Sequence, residues 1–518
     1  MRGEMRLRAK LLGLETGGKP IVLMNKEDAE DLGIRSLARV VIKFDKKQLT
    51  GIVNIATKIV PKGMIGISEE VGNILKLKDS ADVDVDIAMF PSSLQYIKNK
   101  LKGRKLAYEE ILQIVKDTVD GNLSETEIAS FVTALDTKGL DIDEAANMSL
   151  AMVETGRKLE LNKKIIVDKH SIGGVPGDKT TLLVVPIVAA AGVVIPKTSS
   201  RAITSATGSA DRAEVLMPVD LDIEEMKEVI EKTNGCIVWG GSLHLAPADD
   251  IFIQVEYPLE IDPLLLPSIM GKKKAVGAKF VVIDIPTGRG TKVKTIGDAN
   301  LLAKDFIELG KKLDMKVECA ITDGEQPIGY TIGSALEAKE ALEVIIRKRT
   351  VPDLIDKSVH LAGILLEMAG KKNGYQLALE ILKSGKAEDK LREIIMMQGG
   401  ERDIKPDEIE IGKYGLDIAA DKKGVVLWLN NTAVSELARA AGAPKDRGAG
   451  VLLYKKLNDT VAKEEKLMTV YAEKSRKLER VRKILDEEQV VGVGDRREML
   501  IQQVKEIPVH KKSFILER

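Results

Sequence analysis

The chain has 518 residues, with 79 lysines and arginines against 79 aspartates and glutamates, a formal net charge of zero and only two cysteines. That length holds two to four domains. The balanced charge argues against chain-wide binding to nucleic acid or an anionic membrane surface, since both draw on basic excess.

Cys236 and Cys319 are too few and too far apart for a disulfide framework or a zinc site. The four histidines, His170, His244, His360 and His510, show no metal-ligand spacing. The opening MRGEMRLRAK lacks the apolar centre of a signal peptide, and no run of about 18 apolar residues suggests a membrane span. A soluble cytoplasmic protein is expected.

Residues 1–88 carry short alternating or β-branched runs (RLRAKLLGL, RVVIKF, TGIVNIAT, GMIGIS, DVDVDIA) broken by Gly and Asp. They predict a small β-rich domain, a barrel or a sandwich, with a role in assembly. Over 92–161 the period becomes helical: Ile111, Ile114, Val115 and Val119 share one face. Ser124 with Glu127 forms a capping box ahead of Ile128, Phe131, Val132 and Leu135, and Asp141 with Glu144 repeats the signal. This is a helical lobe, and residues 246–275 read as a further part of it.

From residue 163 strands and helices alternate. KKIIVD predicts a strand, LLVVPIVAAAG a helix and VVIPK a second strand; a helix from about 222 follows. CIVWG (236–240), KFVVIDIP (279–286) and VECAITD (317–323) are later strands. The pattern predicts an α/β domain with a mostly parallel sheet over 162–245 and 276–425. A C-terminal α+β domain is expected over 426–518, with a strand VVLWLN and a helix around 433–441.

Parallel sheets bind ligands at the carboxyl ends of their strands, where two polar loops are expected. The first, DKHSIGGVPGDKTT (168–181), is not a P-loop, because Asp178 stands between its last glycine and Lys179. Gly173, Gly174 and Gly177 would let the backbone approach an anion beside a helix N-terminus. Lys169, His170 and Lys179 add cations or donors; Ser171, Thr180 and Thr181 add hydroxyls. A tight turn with no ligand is the plainer reading of that loop alone. The second loop, TSSRAITSATGSAD (198–211), gathers hydroxyl residues around Arg201, whose guanidinium can grip a phosphate with two parallel bonds. Two such loops after consecutive strands point to one phosphorylated ligand and a second anion.

With these loops the chain resembles the nucleoside phosphorylase family that includes thymidine phosphorylase, whose loops read K-H-S-x-G-G-x-G-D and S-x-R-x-x-x-x-T-G-G-T-x-D-x-x-E. The resemblance runs on through LAPADD (245–250), PSIMGKK (267–273), DIPTGRGTKV (284–293) and TDGEQPIG (322–329), covering about residues 92 to 460. The β-rich N-terminal region and TSSRAITS resemble the archaeal branch that accepts nucleotides. Gly208-Ser209-Ala210-Asp211 keeps a hydroxyl where the family has G-T-x-D, and the extra hydroxyls near Arg201 suit a 5′-phosphate. After APAD, pyrimidine-specific relatives carry an Arg-Asp pair, whereas IFIQVEYPLEID has no arginine, so the base must be recognised differently.

The resemblance implies reversible phosphorolysis: AMP plus phosphate gives adenine plus ribose 1,5-bisphosphate, with CMP and UMP as further substrates. It implies no cofactor and no metal, phosphate being the nucleophile, and a homodimer or higher homo-oligomer. It makes Asp262 the general acid that protonates the departing base, a task suited to a carboxyl in a low-dielectric pocket. Gly174, Ser200, Arg201, Ala202, Ile203, Thr204, Ser205 and Ser209, with Ser268 and Lys292, would bind the nucleotide. Lys169, His170 and Ser171 would serve the phosphate and sugar side, and Lys272 matches a base-contacting lysine of the pyrimidine enzymes. From the residues alone, Asp262 also reads as a helix cap before Pro263 and His170 as an ordinary loop histidine. The rival readings are a pyrimidine-nucleoside phosphorylase, a phosphoribosyltransferase and an inactive nucleotide-binding scaffold.

Overall fold

The computed structural model describes residues 4–202 and 205–495. Six strands, Met5–Leu11, Ile21–Asn25, Arg39–Phe44, Lys47–Ala56, Met64–Ile67 and Asp82–Ile87, close into a barrel. The last of them shows why: in DVDVDI the valines Val83 and Val85 are buried while Asp82 is exposed, the alternation of a strand with one face in a core. Arg39 ties the barrel to the helical lobe, donating to the carbonyl of Asn122 at 2.6 Å and pairing with Glu127.

The helical lobe is built from Ser93–Leu101, Tyr108–Val119, Glu125–Lys138 and Ile142–Thr155. Asp141 caps the last of these, accepting from the backbone N–H of Glu144 at 2.8 Å. Pro247–Leu259 and Leu265–Ala275 return to pack on it, with the Phe252 ring 6.0 Å from that of Phe131.

In the central domain Val167–Ser171 pairs in parallel with Phe280–Thr287, which pairs in parallel with Lys316–Asp323. Ile195–Ser199 and Gly235–Trp239 form a second parallel pair, joined to the first group by a single parallel bridge between Ile166 and Val194. The sheet is thus parallel as expected, but its strands run later than KKIIVD and VVIPK suggest. Asp168–Ser171 and Thr198–Ser199 lie on strands, not in loops. Pairing of Val167–Ser171 with Phe280–Asp284 draws those polar residues into the ladder, and Lys273 neutralises Asp168 at 2.6 Å.

The helix Thr180–Ala190 after the first loop is buried on every side. At roughly 1.5–3 kcal/mol for each large aliphatic side chain removed from water, Leu182, Leu183 and Ile187 anchor it firmly. Its cover comes from Ser334–Ile345, Pro352–Met368, Gly374–Ser384 and Lys386–Met397, four helices in succession where strict alternation predicts a strand between. Tyr414–Ala419 already pairs with Lys466–Ala472, so the C-terminal sheet begins before residue 426; Thr331–Ile332 of the central domain joins it through Gly450–Leu453. Among the described residues no helix is long and apolar enough to cross a membrane.

Candidate active site

A cavity of about 490 Å³ opens at the carboxyl ends of the parallel strands. Ser171, Ser199 and Gly240 line it from the strand ends, Lys292 from the loop after Phe280–Thr287, and Glu256, Asp262 and Ser268 from the helical lobe opposite. It therefore lies between two lobes, and the helical one adds the carboxylates of Glu256 and Asp262 together with Lys272 and Lys273.

The first strand delivers Lys169, His170 and Ser171 to this cavity. Lys169 is buried and donates to the Thr180 hydroxyl at 2.6 Å; burial holds its pKa below the usual lysine value. His170 is pushed well below its ordinary value by burial and by Lys273, Lys197, Lys272 and Lys169, so at neutral pH it is an uncharged imidazole. The turn that follows has Gly174 and Gly177 at φ of 91° and 77°. Both are needed for chain contact: a Cβ on Gly174 would come within 2.8 Å of the Lys292 backbone nitrogen, and one on Gly177 within 2.5 Å of the Ile328 carbonyl. They seat the loop against its neighbours, and Gly174 itself does not line the cavity.

Asp178 and Lys179 resolve the departure from the P-loop. Burial opposes the Asp178 carboxylate, but Lys169, Lys357 and the Thr180 hydroxyl together keep its pKa below the ordinary value. It accepts from that hydroxyl at 2.5 Å and so fixes the start of the buried helix. Lys179 points away from the cavity, to Glu340 at 2.7 Å and to the carbonyls of Ile328 and Thr331. It is a structural cation, contrary to the expectation that it helps hold the anion.

The second strand ends in Lys197, Thr198 and Ser199, followed by Ser200, Arg201 and Ala202, all at the cavity. Arg201 has its fork committed to carboxylates: Glu214 at 2.8 and 2.9 Å, Asp211 at 3.4 Å and Asp220 at 3.2 Å. Its guanidinium also lies 4.9 Å from the centre of the Trp239 ring. Asp211 shapes the loop by accepting from the backbone of Ala202 at 2.7 Å and of Gly208 at 2.8 Å. Ser209 lines the cavity, whereas Ser205 faces a separate groove beside Arg439 and Pro444. Ile203 and Thr204 lie outside the described residues.

From the helical lobe, Asp262 meets Lys292 at 2.9 Å, an ion pair that spans the two lobes; its side chain is half exposed, not in the low-dielectric pocket expected of it. Lys272 pairs with Asp249 at 2.5 Å and donates to Ser268 at 3.4 Å. Glu256, four residues past buried Phe252 on the same helix, is the acid that sequence reasoning missed. Burial, with the Asp262 and Asp249 carboxylates nearby, pushes its pKa up to about 7. Such a carboxyl favours the folded chain as the neutral acid, and that advantage is lost as pH rises from 4.5 through about 7. Glu256→Gln is therefore expected to be the more stable chain at neutral pH, its lead in thermal midpoint widening across that window. A pH-independent difference would show that Glu256 stays solvated.

Ser199 and Lys197 were missed as well. The Ser199 hydroxyl is buried at the cavity wall with no hydrogen-bond partner among the described residues. The signal was present: K-x-S ends both strands, as Lys169-His170-Ser171 and Lys197-Thr198-Ser199.

Three family models match in order: the glycosyl transferase family helical bundle domain over residues 94–156, the glycosyl transferase family a/b domain over 163–388, and the pyrimidine nucleoside phosphorylase C-terminal domain over 425–491. The chain is 47% identical over 516 residues to the AMP phosphorylase of Thermofilum pendens, covering 99% of this chain and 100% of that one. It is 50% identical over 481 residues to the AMP phosphorylase of Pyrococcus furiosus, covering 92% and 95%. The chain belongs to the AMP phosphorylase family. Relatives in the family extend to Methanocaldococcus jannaschii, at 48% identity over 478 residues, 91% of this chain and 94% of that one. Among solved structures, anthranilate phosphoribosyltransferase from Thermus thermophilus shares the fold, with a TM-score of 0.51 at 21% identity over 58% of this chain and 98% of that one.

Proposed function

We propose that this chain catalyses the phosphorolysis of AMP to adenine and ribose 1,5-bisphosphate. The observation that carries the reading is its near full-length identity with relatives named AMP phosphorylase. The cavity supports it by setting Lys169, Ser171 and Ser199 on one wall and Asp262 on the other. A phosphate held at the strand ends attacks the anomeric carbon of the ribose and the N-glycosidic bond breaks; Asp262, protonated from solvent once the nucleotide parts it from Lys292, gives that proton to a ring nitrogen of the departing adenine. Neutral His170 donates a hydrogen bond on the sugar and phosphate side. Product identification after incubation with AMP and phosphate tests this; adenine release that requires pyrophosphate and Mg²⁺ in the reverse direction would favour a phosphoribosyltransferase instead.

Arg201 is the proposed reader of the 5′-phosphate. Asp220, more than half exposed, is the most open of its three acidic partners and the one a phosphate oxygen would displace. Arg201→Ala is expected to weaken AMP about 10- to 100-fold while sparing adenosine, the loss of a charge-assisted contact of about 1.5–3 kcal/mol. Equal losses for both ligands would confine Arg201 to shaping the loop. The same reading extends to CMP and UMP as substrates, to a cytoplasmic setting and to a homodimer or larger assembly, which light scattering would size.

A further inference from the structure

Lys197 has no role in the mechanism above, yet its surroundings single it out. It sits on the second central strand, 4% exposed, and lines the cavity. Five other buried lysines each hold a carboxylate: Lys100 with Glu144 at 2.7 Å, Lys179 with Glu340 at 2.7 Å, Lys273 with Asp168 at 2.6 Å, Lys357 with Asp284 at 2.8 Å and Lys456 with Asp353 at 2.8 Å; Lys169, beside Lys197 at the cavity, instead donates to the Thr180 hydroxyl. Lys197 forms no such pair among the described residues; its Nζ donates to the carbonyl of Thr198. The charged and titratable groups facing it are Asp168, Lys169 and His170 from the first strand, Lys273 from Leu265–Ala275 and Cys236 from the adjacent strand. The acid among them, Asp168, is taken by Lys273. A buried ammonium without a counter-ion is unfavourable, so this amine either sheds its proton or meets an anion from outside the chain.

The strand register says where that anion would sit. Counting on from the parallel bridge between Ile166 and Val194 brings Lys169 abreast of Lys197 and Ser171 abreast of Ser199. Residues two apart share a strand face, so the repeated K-x-S sets two amines and two hydroxyls together, and all four line the cavity. One of those hydroxyls, Ser199 Oγ, is buried at 8% residue exposure and has no hydrogen-bond partner among the described residues. An amine without a carboxylate partner and a hydroxyl without a hydrogen bond among the described residues thus line the same cavity.

We propose that Lys197 binds a phosphate dianion in this pocket, completing the cradle formed by Lys169, Ser171 and Ser199. The inference rests on the phosphorolytic reading of the site. Burial and the neighbouring lysines push Lys197 well below the usual lysine value, and an entering dianion favours the protonated amine. Anion binding and protonation of Lys197 are thus linked, which favours doubly charged oxyanions over neutral sugars.

The test is Lys197→Met, a neutral side chain of similar length, with Lys197→Gln as a second variant, both checked for an unchanged thermal midpoint. Each is expected to raise KM about 10- to 100-fold for inorganic phosphate or for AMP while leaving adenosine binding unchanged, the size of a lost charge-assisted bond. A rise confined to phosphate assigns the dianion to the attacking nucleophile; a rise confined to AMP assigns it to the 5′-phosphate. Titration calorimetry of the native chain with the same anion, in two buffers of unlike ionisation enthalpy, should show proton uptake that both variants lose. Unchanged KM values, or equal losses for AMP and adenosine, would overturn the proposal. If the native chain released no adenine from AMP, the phosphorolytic reading would fail; calorimetric binding of inorganic phosphate, with and without Lys197, would still decide this one.

Discussion

Asp262→Asn should lower kcat for AMP phosphorolysis by about 10²–10⁴-fold, the usual contribution of a positioned acid, with AMP still bound at nearly native affinity. Asn keeps the shape of the side chain but has no proton to give to the departing base. Asp262 lies in the short link between Pro247–Leu259 and Leu265–Ala275, and its carboxylate meets Lys292 from the opposite lobe at 2.9 Å. That pair is half exposed, so its loss should cost little stability. Steady-state kinetics with a thermal melt separates the two effects. A variant with native kcat would remove Asp262 from the chemistry and turn attention to Glu256, the other acid on that wall.

The second large effect belongs to stability. Lys179→Met is expected to destabilise the chain by about 3–5 kcal/mol, because removing one partner leaves an uncompensated buried charge. Both Lys179 and Glu340 are fully buried. Glu340 also accepts from the backbone of Tyr330 and from the Thr331 hydroxyl, and Lys179 donates to the carbonyls of Ile328 and Thr331. One ion pair therefore fastens the buried helix to the segment that leads into the C-terminal sheet. A lower midpoint of thermal or urea unfolding, with KM for phosphate unchanged in the folded chain, is the expected result. An unchanged midpoint with a raised phosphate KM would return Lys179 to the anion site.

Lys179 also shows how far the sequence could be read. Its place just past a glycine and before two threonines looks like that of a phosphate-binding lysine; Asp178 breaks the P-loop spacing, but nothing local says where Lys179 points. Glu340, which claims it, is 161 residues away. Arg201 presents the same problem: its pattern speaks of phosphate, while Glu214 and Asp220, brought in by the turn of the chain, occupy its fork. Lys197 is the opposite case: nothing in VVIPK marks it out, and only the sheet buries it at the cavity.

The sequence by itself determined the order of the parts. Alternating DVDVDI, the capping signals at Ser124 and Asp141, and the strand–loop–helix rhythm after residue 163 are short-range features, set by side-chain period and hydrogen-bond capacity within a few residues. It also named both walls of the cavity, since the K-H-S and S-S-R stretches and Asp262 all reach it. Tertiary structure alone decided which cations are free. A lysine's charge is visible in any sequence, but its availability depends on which carboxylate folding places within about 3 Å, and partners drawn from distant segments leave no local trace.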